Sequence, residues 1–324
     1  MAMISVRGLC KQYANRTGVA DVSFDVERGE IFGILGPNGA GKTTTVECIG
    51  GLRRRDSGEI AVAGFDPALE SDGLRRVLGI QLQESRFPDK LTVAEAIRLY
   101  ASFYPNPVDG DELIERLGLA EQRRTYYSKL SGGQKQRLSV AVALVGRPQV
   151  AILDELTTGL DPQARRDVWS LLEEMRGFGV TLLLVPHFME EAERLCDRVA
   201  VIDGGRVVAL DTPRRLATNV ASGQRMIFTP STLTTGATVA NSGLDFDELR
   251  AIPSVSSVIE VGEQTVAVAG GDDMVTDVVL ALAARGIRAR RMRLEQANLE
   301  DAFVSITQHA DDTRIEDQRQ GATK

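Results

Sequence analysis

The feature that most limits the possible folds is a glycine-rich run, Gly36-Pro-Asn-Gly-Ala-Gly-Lys-Thr43, which fits the pattern G-x-x-x-x-G-K-T. It follows an apolar run short enough for a buried strand, Glu30–Leu35, and precedes a segment with apolar residues at helical spacing, Thr44–Ile49. A strand, a tight loop and a helix in this order cradle nucleotide phosphates, because backbone amides and the positive end of the helix dipole converge there. The run therefore predicts an α/β fold with a loop that binds the phosphates of a nucleotide.

The side chains of this run have separate predicted roles. Lys42 supplies a positive charge for the outer phosphates, and the Thr43 hydroxyl supplies an oxygen ligand for a magnesium ion that bridges them. Thr44 can donate to a neighbouring phosphate. A glycine-rich turn that contains a lysine by chance is the alternative, and the flanking strand and helix argue against it. The predicted nucleotide-binding residues of the loop are Gly36, Asn38, Gly39, Ala40, Gly41, Lys42, Thr43 and Thr44.

The composition indicates an ordinary globular protein. With 324 residues, of which 43% are apolar, the chain can form about two domains with normal cores. A formal net charge of -7 argues against a general affinity for nucleic acid or anionic lipid. Three scattered cysteines, Cys10, Cys48 and Cys196, lack metal-ligand spacing, which favours buried thiols in a reducing cytosol.

The sequence shows no sign of export or membrane insertion. No signal peptide is recognisable at its start, and the most apolar stretch, Val180–Val185, is far shorter than the roughly 20 residues of a spanning helix. We expect a cytoplasmic protein for which any membrane role requires a separate partner.

Residues 1–219 alternate short apolar runs with segments of helical period, which predicts a layered α/β domain around a largely parallel sheet. Within it, Val19–Val26 alternates apolar and polar residues, as expected of an antiparallel strand with one wet face, and we expect a small antiparallel β subdomain there. Residues 89–147 lack strand-like runs and are predicted to form a helical subdomain that includes a helix over Thr92–Tyr100.

The order of strand-like and helix-like segments starts anew after residue 219, which predicts a second domain over residues 220–308. Its β-α-β-β-α-β order is typical of a small α+β ferredoxin-like module. The predicted elements are a strand at Met226–Thr229, a helix at Phe246–Ile252, strands at Val255–Val261 and Thr265–Ala269, a helix at Met274–Arg285, a strand at Arg288–Leu294 and a last helix at Asn298–Thr307. Residues 309–324 are polar and charged, which predicts a disordered tail.

Two carboxylates follow a continuous apolar strand at Val150–Asp154. Ligands of parallel sheets gather at this end of the strands, and adjacent residues point in opposite directions. Asp154 and Glu155 can therefore have separate roles, in which one binds magnesium and the other polarises an attacking water. The alternative is that the two acids lie in an ordinary solvated turn. The phosphate loop earlier in the chain argues against this alternative.

A second helix start lies at Leu130-Ser-Gly-Gly-Gln134. Leu138, Ala141 and Val142 follow at helical spacing, so Ser131 and the two glycines expose amides and a hydroxyl at the positive end of a helix. Such a start can bind an anion. An ordinary N-cap explains the same residues, and on physical grounds alone the N-cap is the favoured interpretation.

Together, these residues resemble the nucleotide-binding subunit of ABC transporters over residues 3 to about 212, and the resemblance implies an α/β fold of the P-loop NTPase type. The resemblance implies ATP and Mg2+ as cofactors. It makes Glu155 the residue that orients the hydrolytic water and Asp154 the magnesium partner. It places the loop formed by Ser131, Gly132, Gly133 and Gln134 against the nucleotide.

The same resemblance assigns four further residues. Asp161 is the acid of the loop that follows the magnesium strand, and His187 is a switch histidine near the γ-phosphate. Tyr13 stacks on adenine. Gln83 senses magnesium and the γ-phosphate; Gln81 lies two residues away on the same side of an extended strand, so only family spacing selects Gln83.

Two positions depart from the family pattern. Leu156 stands where a proline ordinarily stiffens the backbone, and Pro186 stands where a small hydroxyl residue usually precedes the histidine. Neither change removes a charge or a ligand. We therefore expect magnesium-dependent ATP hydrolysis, at a rate that these changes can lower.

Residues 220 to about 308, which end in Asn298-Leu-Glu-Asp-Ala-Phe303, resemble the C-terminal module of the drug-resistance and antibiotic-export branch of the family. That resemblance implies regulation or dimer contact, and an accessory fold without such a role is the alternative. The expected mechanism is a homodimer that encloses two ATP molecules, each between the phosphate loop of one subunit and residues 131–134 of the other. Hydrolysis then drives a separately encoded membrane permease that exports drug-like or hydrophobic compounds.

Three other interpretations remain open. A soluble ABC-type ATPase that acts on ribosomes or DNA would need no permease, but such proteins usually carry two cassettes or a long insertion. A nucleotide-binding regulator without turnover has support only from Leu156 and Pro186.

A basic cluster at residues 285–293 is compatible with nucleic-acid binding, but no aromatic residues interleave with its arginines. A solvated strand face is therefore favoured, and no nucleic-acid partner is expected.

Overall fold

A computed structural model describes residues 2–14, 16–82, 87–177, 179–220, 224–232, 244, 246–262, 265–271, 273–296 and 298–307. The chain forms two compact units, Met1–Leu210 and Asp211–Lys324. The division falls before helix α8 (Pro213–Val220), whereas the sequence-based division falls at the end of this helix.

The first unit is built on one sheet, with its described strands in the order β4-β1-β2-β9-β8-β3-β7-β6-β5. The strands are β1 (Ile4–Tyr13), β2 (Arg16–Val26), β3 (Ile31–Leu35), β4 (Ser57–Val62), β5 (Leu78–Gln81), β6 (Val150–Asp154), β7 (Thr181–Val185), β8 (Arg198–Asp203) and β9 (Arg206–Asp211). Strands β8, β3, β7, β6 and β5 pair in parallel in that order. The predicted α/β class is confirmed.

The central strands are buried on both faces. Every residue of β3, β6 and β7 is buried, which explains why these strands are continuous apolar runs rather than alternating ones. Because the strands are parallel, their carboxyl ends share one edge of the sheet, and the loops that follow them meet there.

The sheet also has an antiparallel part, formed by β1, β2 and β4. On β2, Val22, Phe24 and Val26 are buried while Asp21 and Ser23 are exposed, which is the predicted alternation. One face of these strands therefore packs into the core, and the other faces solvent.

Helices cover the sheet and fill the predicted helical region. No strand lies within residues 89–147, all of which are described. Thr92 caps α3 in a reciprocal capping box with Glu95, which fixes the predicted start of this helix. The helices are α1 (Lys42–Ile49), α2 (Ser71–Val77), α3 (Val93–Ala101), α4 (Gly110–Arg116), α5 (Gly132–Leu144), α6 (Pro162–Gly177) and α7 (Met189–Leu195), with a 3-10 turn at Tyr127–Lys129.

The second unit contains a four-stranded antiparallel sheet in the order β11-β12-β10-β13. Its elements after α8 are β10 (Gln224–Thr232), α9 (Phe246–Arg250), β11 (Val255–Gly262), β12 (Thr265–Gly270), α10 (Met274–Ala284), β13 (Ile287–Gln296) and α11 (299–307). Up to β13 this is the predicted β-α-β-β-α-β order, and α11 is the predicted last helix; the ferredoxin-like assignment itself remains a prediction. Phe228 and Val268 lie in its core, and the predicted tail at 309–324 lies outside the described residues.

No helix in the described part of the chain combines the length and the apolar character that crossing a bilayer requires.

Candidate nucleotide site

The phosphate loop joins β3 to α1 and is wedged between two strands. A Cβ atom on Gly36 would lie 2.1 Å from the carbonyl oxygen of Ile202 on β8. A Cβ atom on Gly41 would lie 2.4 Å from the carbonyl oxygen of Gly18 on β2, and Gly41 has a φ of 105°. Only glycine fits both positions, so the glycine pattern that predicts the loop has a steric cause.

Lys42 bends back across the loop. Its ammonium donates to the carbonyl oxygens of Gly36 at 2.7 Å and Pro37 at 3.0 Å. Burial lowers the pKa of Lys42, while the negative charges of Glu155 and Asp154 oppose that change. The lysine charge is therefore held close to the loop and close to both acids.

Tyr13 lies beside the same loop. Its hydroxyl is 3.1 Å from the Thr44 hydroxyl, and the Arg53 guanidinium carbon lies 5.3 Å from the centroid of its ring. Arg53 is in turn paired with Glu47 on α1. The tyrosine predicted to stack on adenine is thus anchored to the first turn of the helix that follows the phosphate loop.

Asp154 and Glu155 stand at the end of β6. Asp154 is 3% exposed and lies opposite Val185 on the neighbouring strand β7. Burial, assisted by the charge of Glu155 and opposed by that of Lys42, raises the pKa of Asp154 to about 6. The charged form of Asp154 is therefore disfavoured by burial, and a cation beside this carboxylate would stabilise it.

Glu155 has an unusual backbone conformation. Its φ is 49°, in the left-handed region that residues other than glycine rarely adopt, while its amide donates to the Val185 carbonyl oxygen at 3.0 Å. Such a conformation costs on the order of 1–2 kcal/mol, and non-glycine residues with this strain cluster at functional sites. The strain falls on the residue that was predicted to orient the hydrolytic water.

His187 follows β7 directly after the buried Pro186 and is exposed. Its ring contacts that of Phe188, with 4.6 Å between the centroids. The guanidinium carbon of Arg165 lies 3.8 Å from the centroid of the Phe188 ring, so a cation on α6 supports the loop that carries the histidine.

Residues 131–134 form an N-cap. The Ser131 hydroxyl accepts from the Gln134 amide at 3.3 Å, and the Gln134 side chain accepts from the Ser131 amide at 2.9 Å. A Cβ atom on Gly133 would lie 3.1 Å from the Ala164 Cβ on α6. The cap therefore packs beside α6, and its own hydrogen bonds stay within the turn.

Asp161 caps the start of α6. Its carboxylate accepts from the amides of Gln163 and Ala164, each at 3.0 Å, and these hydrogen bonds lower the pKa of Asp161. Pro162 occupies the first helical position, where its missing amide costs nothing. The acid is thus held ionised on an exposed loop.

The structure brings together one group of the predicted site residues and leaves another apart. The phosphate loop, Asp154, Glu155 and His187 lie at the carboxyl ends of adjacent strands, whereas residues 131–134 and Asp161 lie at the starts of α5 and α6. Gln83 lies outside the described residues. Gln81 on β5 is 4% exposed and donates to the Leu82 carbonyl oxygen at 2.8 Å.

Sequence reasoning missed one buried contact next to the site. The Thr157 hydroxyl donates to the Glu191 carboxylate at 2.9 Å, and both side chains are buried. The two residues are 34 positions apart, and Glu191 is preceded by another glutamate, Glu190. No local pattern distinguishes the two, so only the tertiary structure shows which of them is used.

A magnesium ion fits the donor set at the end of β6. No group of three or more His, Cys, Asp and Glu side chains within the described ranges is arranged to hold a metal by itself. The buried carboxylate of Asp154 and the exposed hydroxyl of Thr43 are hard oxygen ligands. They suit an ion whose other ligands are phosphate oxygens and water.

The family model described as ABC transporter matches residues 19–158. The chain is 32% identical over 321 residues to the daunorubicin resistance ATP-binding protein DrrA3 of Streptomyces coeruleorubidus, covering 97% of this chain and 98% of that protein. It is 31% identical over 311 residues to the linearmycin resistance ATP-binding protein LnrL of Bacillus subtilis (strain 168), covering 94% of this chain and 98% of that protein.

A solved structure shares the fold. The dimeric structure of a bacterial ABC transporter cassette, MJ0796, has a TM-score of 0.58 and 27% sequence identity. The match covers 65% of this chain and 98% of that one.

Replacement of Asp154 by asparagine tests the electrostatics of the site. Its folded-state pKa of about 6 exceeds the ordinary value of 3.8, so ionisation of Asp154 weakens the fold. This penalty is absent below about pH 4 and complete above about pH 6. We expect Asp154→Asn to raise the free energy of unfolding at pH 7 by about 2 kcal/mol without nucleotide, with little gain near pH 4.

Urea unfolding followed by the fluorescence of Trp169, the single tryptophan, measures this effect in the first unit. Asp72→Asn is the matched control, because the Asp72 side chain is 91% exposed. An Asp154→Asn variant that is no more stable than the wild type at pH 7 would show that Asp154 carries no burial penalty.

Proposed function

This chain belongs to the ATP-binding proteins of ABC transporters, and we propose that it powers a separate membrane permease that exports drug-like or hydrophobic compounds. It is an ATPase of this family. The ATPase part of the proposal rests on the arrangement of Lys42, Asp154 and Glu155, which places one positive charge and two acids beside the phosphate loop.

The export assignment rests on two relatives that match nearly the whole chain. The daunorubicin and linearmycin resistance ATP-binding proteins each align over more than nine-tenths of it, so the alignments extend into the second unit as well as the ATPase unit. We infer a related task for this chain. The full-length matches favour a transporter subunit over a soluble ATPase that acts on ribosomes or DNA.

In the proposed mechanism, amides of residues 36–44 bind the phosphates of ATP, and Lys42 neutralises the charge that develops on them. Bound Mg2+, held by Asp154 and Thr43, would polarise the phosphoryl oxygens. Glu155 orients the attacking water and accepts its proton, and His187 contacts the γ-phosphate. Gln83 senses magnesium and the γ-phosphate, and it couples the change in bound nucleotide to movement of the helices of residues 89–147. Tyr13 stacks on adenine.

The second half of each site comes from a partner copy. The amides of Gly132 and Gly133 in the first turn of α5 have no acceptor within the helix, and Ser131 and Gly132 are exposed. While its oxygen caps the helix, the Ser131 hydroxyl can still donate its hydrogen to a phosphate. The similar cassette that was solved as a dimer supports this arrangement. We place the complex at the cytoplasmic face of the membrane.

Replacement of Glu155 by glutamine tests this mechanism. Glutamine keeps the shape of the side chain and cannot take a proton from water, so we expect phosphate release to fall by at least about a hundredfold while ATP binding persists. The variant should accumulate as an ATP-bound dimer, which size-exclusion chromatography with light scattering detects. Glu59→Gln, at an exposed position on β4, is the control. A Glu155→Gln chain that remains monomeric in saturating ATP contradicts the scheme.

Removal of residues 220–324 tests the role of the second unit. If this unit contributes to dimer contact, its loss should raise the dissociation constant of the ATP-bound dimer by about tenfold, or about 1.4 kcal/mol. Analytical ultracentrifugation of the Glu155→Gln chain with and without the segment measures this constant. Removal of residues 309–324 alone is the control. Equal dimerisation of the three Glu155→Gln chains, together with equal ATPase rates of the same three lengths of chain with Glu155 restored, would mean that the module is an accessory fold.

A further inference from the structure

Glu191 is a buried acid that the mechanism above does not use. It lies in the first turn of α7 and is 3% exposed. The adjacent Glu190 is exposed. A carboxylate removed from water this completely destabilises a fold unless it is hydrogen-bonded, so its partners indicate what it does.

Two loops approach this single carboxylate. The hydroxyl of Thr157, in the loop after β6, donates to it at 2.9 Å, and Thr157 has no exposed surface. The backbone amide of His187, in the loop after β7, lies close enough to the carboxylate to oppose the rise in its pKa that burial causes, and so does the Trp169 side chain on α6. The carboxylate therefore lies between two loops that are far apart in sequence.

These are the loops that carry Glu155 and His187. Thr157 follows Glu155 by two residues, and β6 and β7 are hydrogen-bonded neighbours. Pro186 has no amide hydrogen, so His187 provides the first amide after β7 that can donate. A carboxylate beside this amide is placed to orient the backbone of the histidine itself.

The groups around Glu191 offset part of the cost of its burial. Burial raises the pKa of Glu191, whereas the Thr157 hydroxyl, the His187 amide, the charge of Arg165 and the Trp169 side chain oppose that rise. Arg165 also lies against the ring of Phe188, the residue after the histidine. The surroundings of Glu191 thus combine three polar donor groups and one cation.

We propose that Glu191 is a positioning residue for ATP hydrolysis, which holds the backbone of His187 and the segment after Glu155 in one fixed arrangement. This inference rests on the proposed roles of Glu155 and His187. A shift of either group by about 1 Å can lower the rate of a chemical step by a large factor without changing how tightly ATP binds.

Glu191→Met is the main test variant. Methionine has a similar length and fits an apolar environment, so the fold is expected to survive, but it leaves the Thr157 hydroxyl and the His187 amide without their acceptor. Glu190→Met is the matched control, because it makes the same change one residue away at an exposed position. Glu191→Gln keeps one acceptor and should restore part of the activity.

Two readouts on the full chain separate positioning from a general structural effect. The first is steady-state ATP hydrolysis, for which Glu191→Met should lower kcat by about tenfold and change KM by less than about twofold. The second is the backbone amide signal of His187 in protein labelled with 15N-histidine. The chain has two histidines, His187 and His309, so a His309→Gln variant assigns the signal. Loss of the acceptor should move the His187 amide proton to lower chemical shift.

The proposal holds if Glu191→Met changes both kcat and the His187 signal while Glu190→Met changes neither. It is overturned if the His187 signal stays in place, or if kcat stays within about twofold of the control. Thr157→Val, which removes the hydroxyl donor and keeps the Glu191 carboxylate, takes the place of Glu191→Met if that variant does not fold. The value of kcat then decides: a tenfold fall supports the proposal, and a kcat within about twofold of the wild type overturns it. Hydrolysis that persists in Glu155→Gln would overturn the proposed function instead, whatever Glu191 does.

Discussion

The opposition of charge between Lys42 and the pair Asp154 and Glu155 is the interaction on which the rest of the site depends. Burial alone would favour the neutral forms of Lys42 and Asp154, and the attraction between their charges limits that effect. The buried Asp154 carboxylate suits a divalent cation, and the loop amides suit phosphates. The site is thus electrostatically incomplete by itself and complementary to a metal-bound triphosphate.

The fold determines how these groups meet. Parallel strands end at a common edge, so the loop after β3, the acids after β6 and the histidine after β7 converge although they are distant in sequence. Cross-links between the loops then hold the arrangement. The Glu155 amide donates to the Val185 carbonyl oxygen, and the Thr157 hydroxyl donates to the Glu191 carboxylate, which lies near the His187 amide. Rigid support of this kind is what a reaction based on positioning requires.

Features with a local cause could be predicted from the sequence, and features set by distant contacts could not. The residue pattern directly indicates the tight loop, through the glycines at 36 and 41, and the buried strand β6, through its five apolar or buried residues. The residue pattern does not indicate the left-handed conformation of Glu155. It also does not indicate that Glu191, and not Glu190, is the buried glutamate. Residues 131–134 combine the two cases. The local sequence predicts the N-cap that is observed at Ser131, whereas a ligand at this position is suggested only by the family resemblance.

Complementation between two inactive chains tests most directly whether each ATP lies between two subunits. A Lys42→Ala chain lacks the phosphate-loop charge, and a Ser131→Arg chain blocks the start of α5, so each homodimer should be inactive. In a mixed dimer with two-fold symmetry, one of the two sites combines an intact Lys42 with an intact Ser131. An equal mixture should therefore regain about a quarter of the wild-type ATPase rate, since half of the dimers are mixed and each has one working site. A mixture that stays as inactive as its components would contradict the shared site.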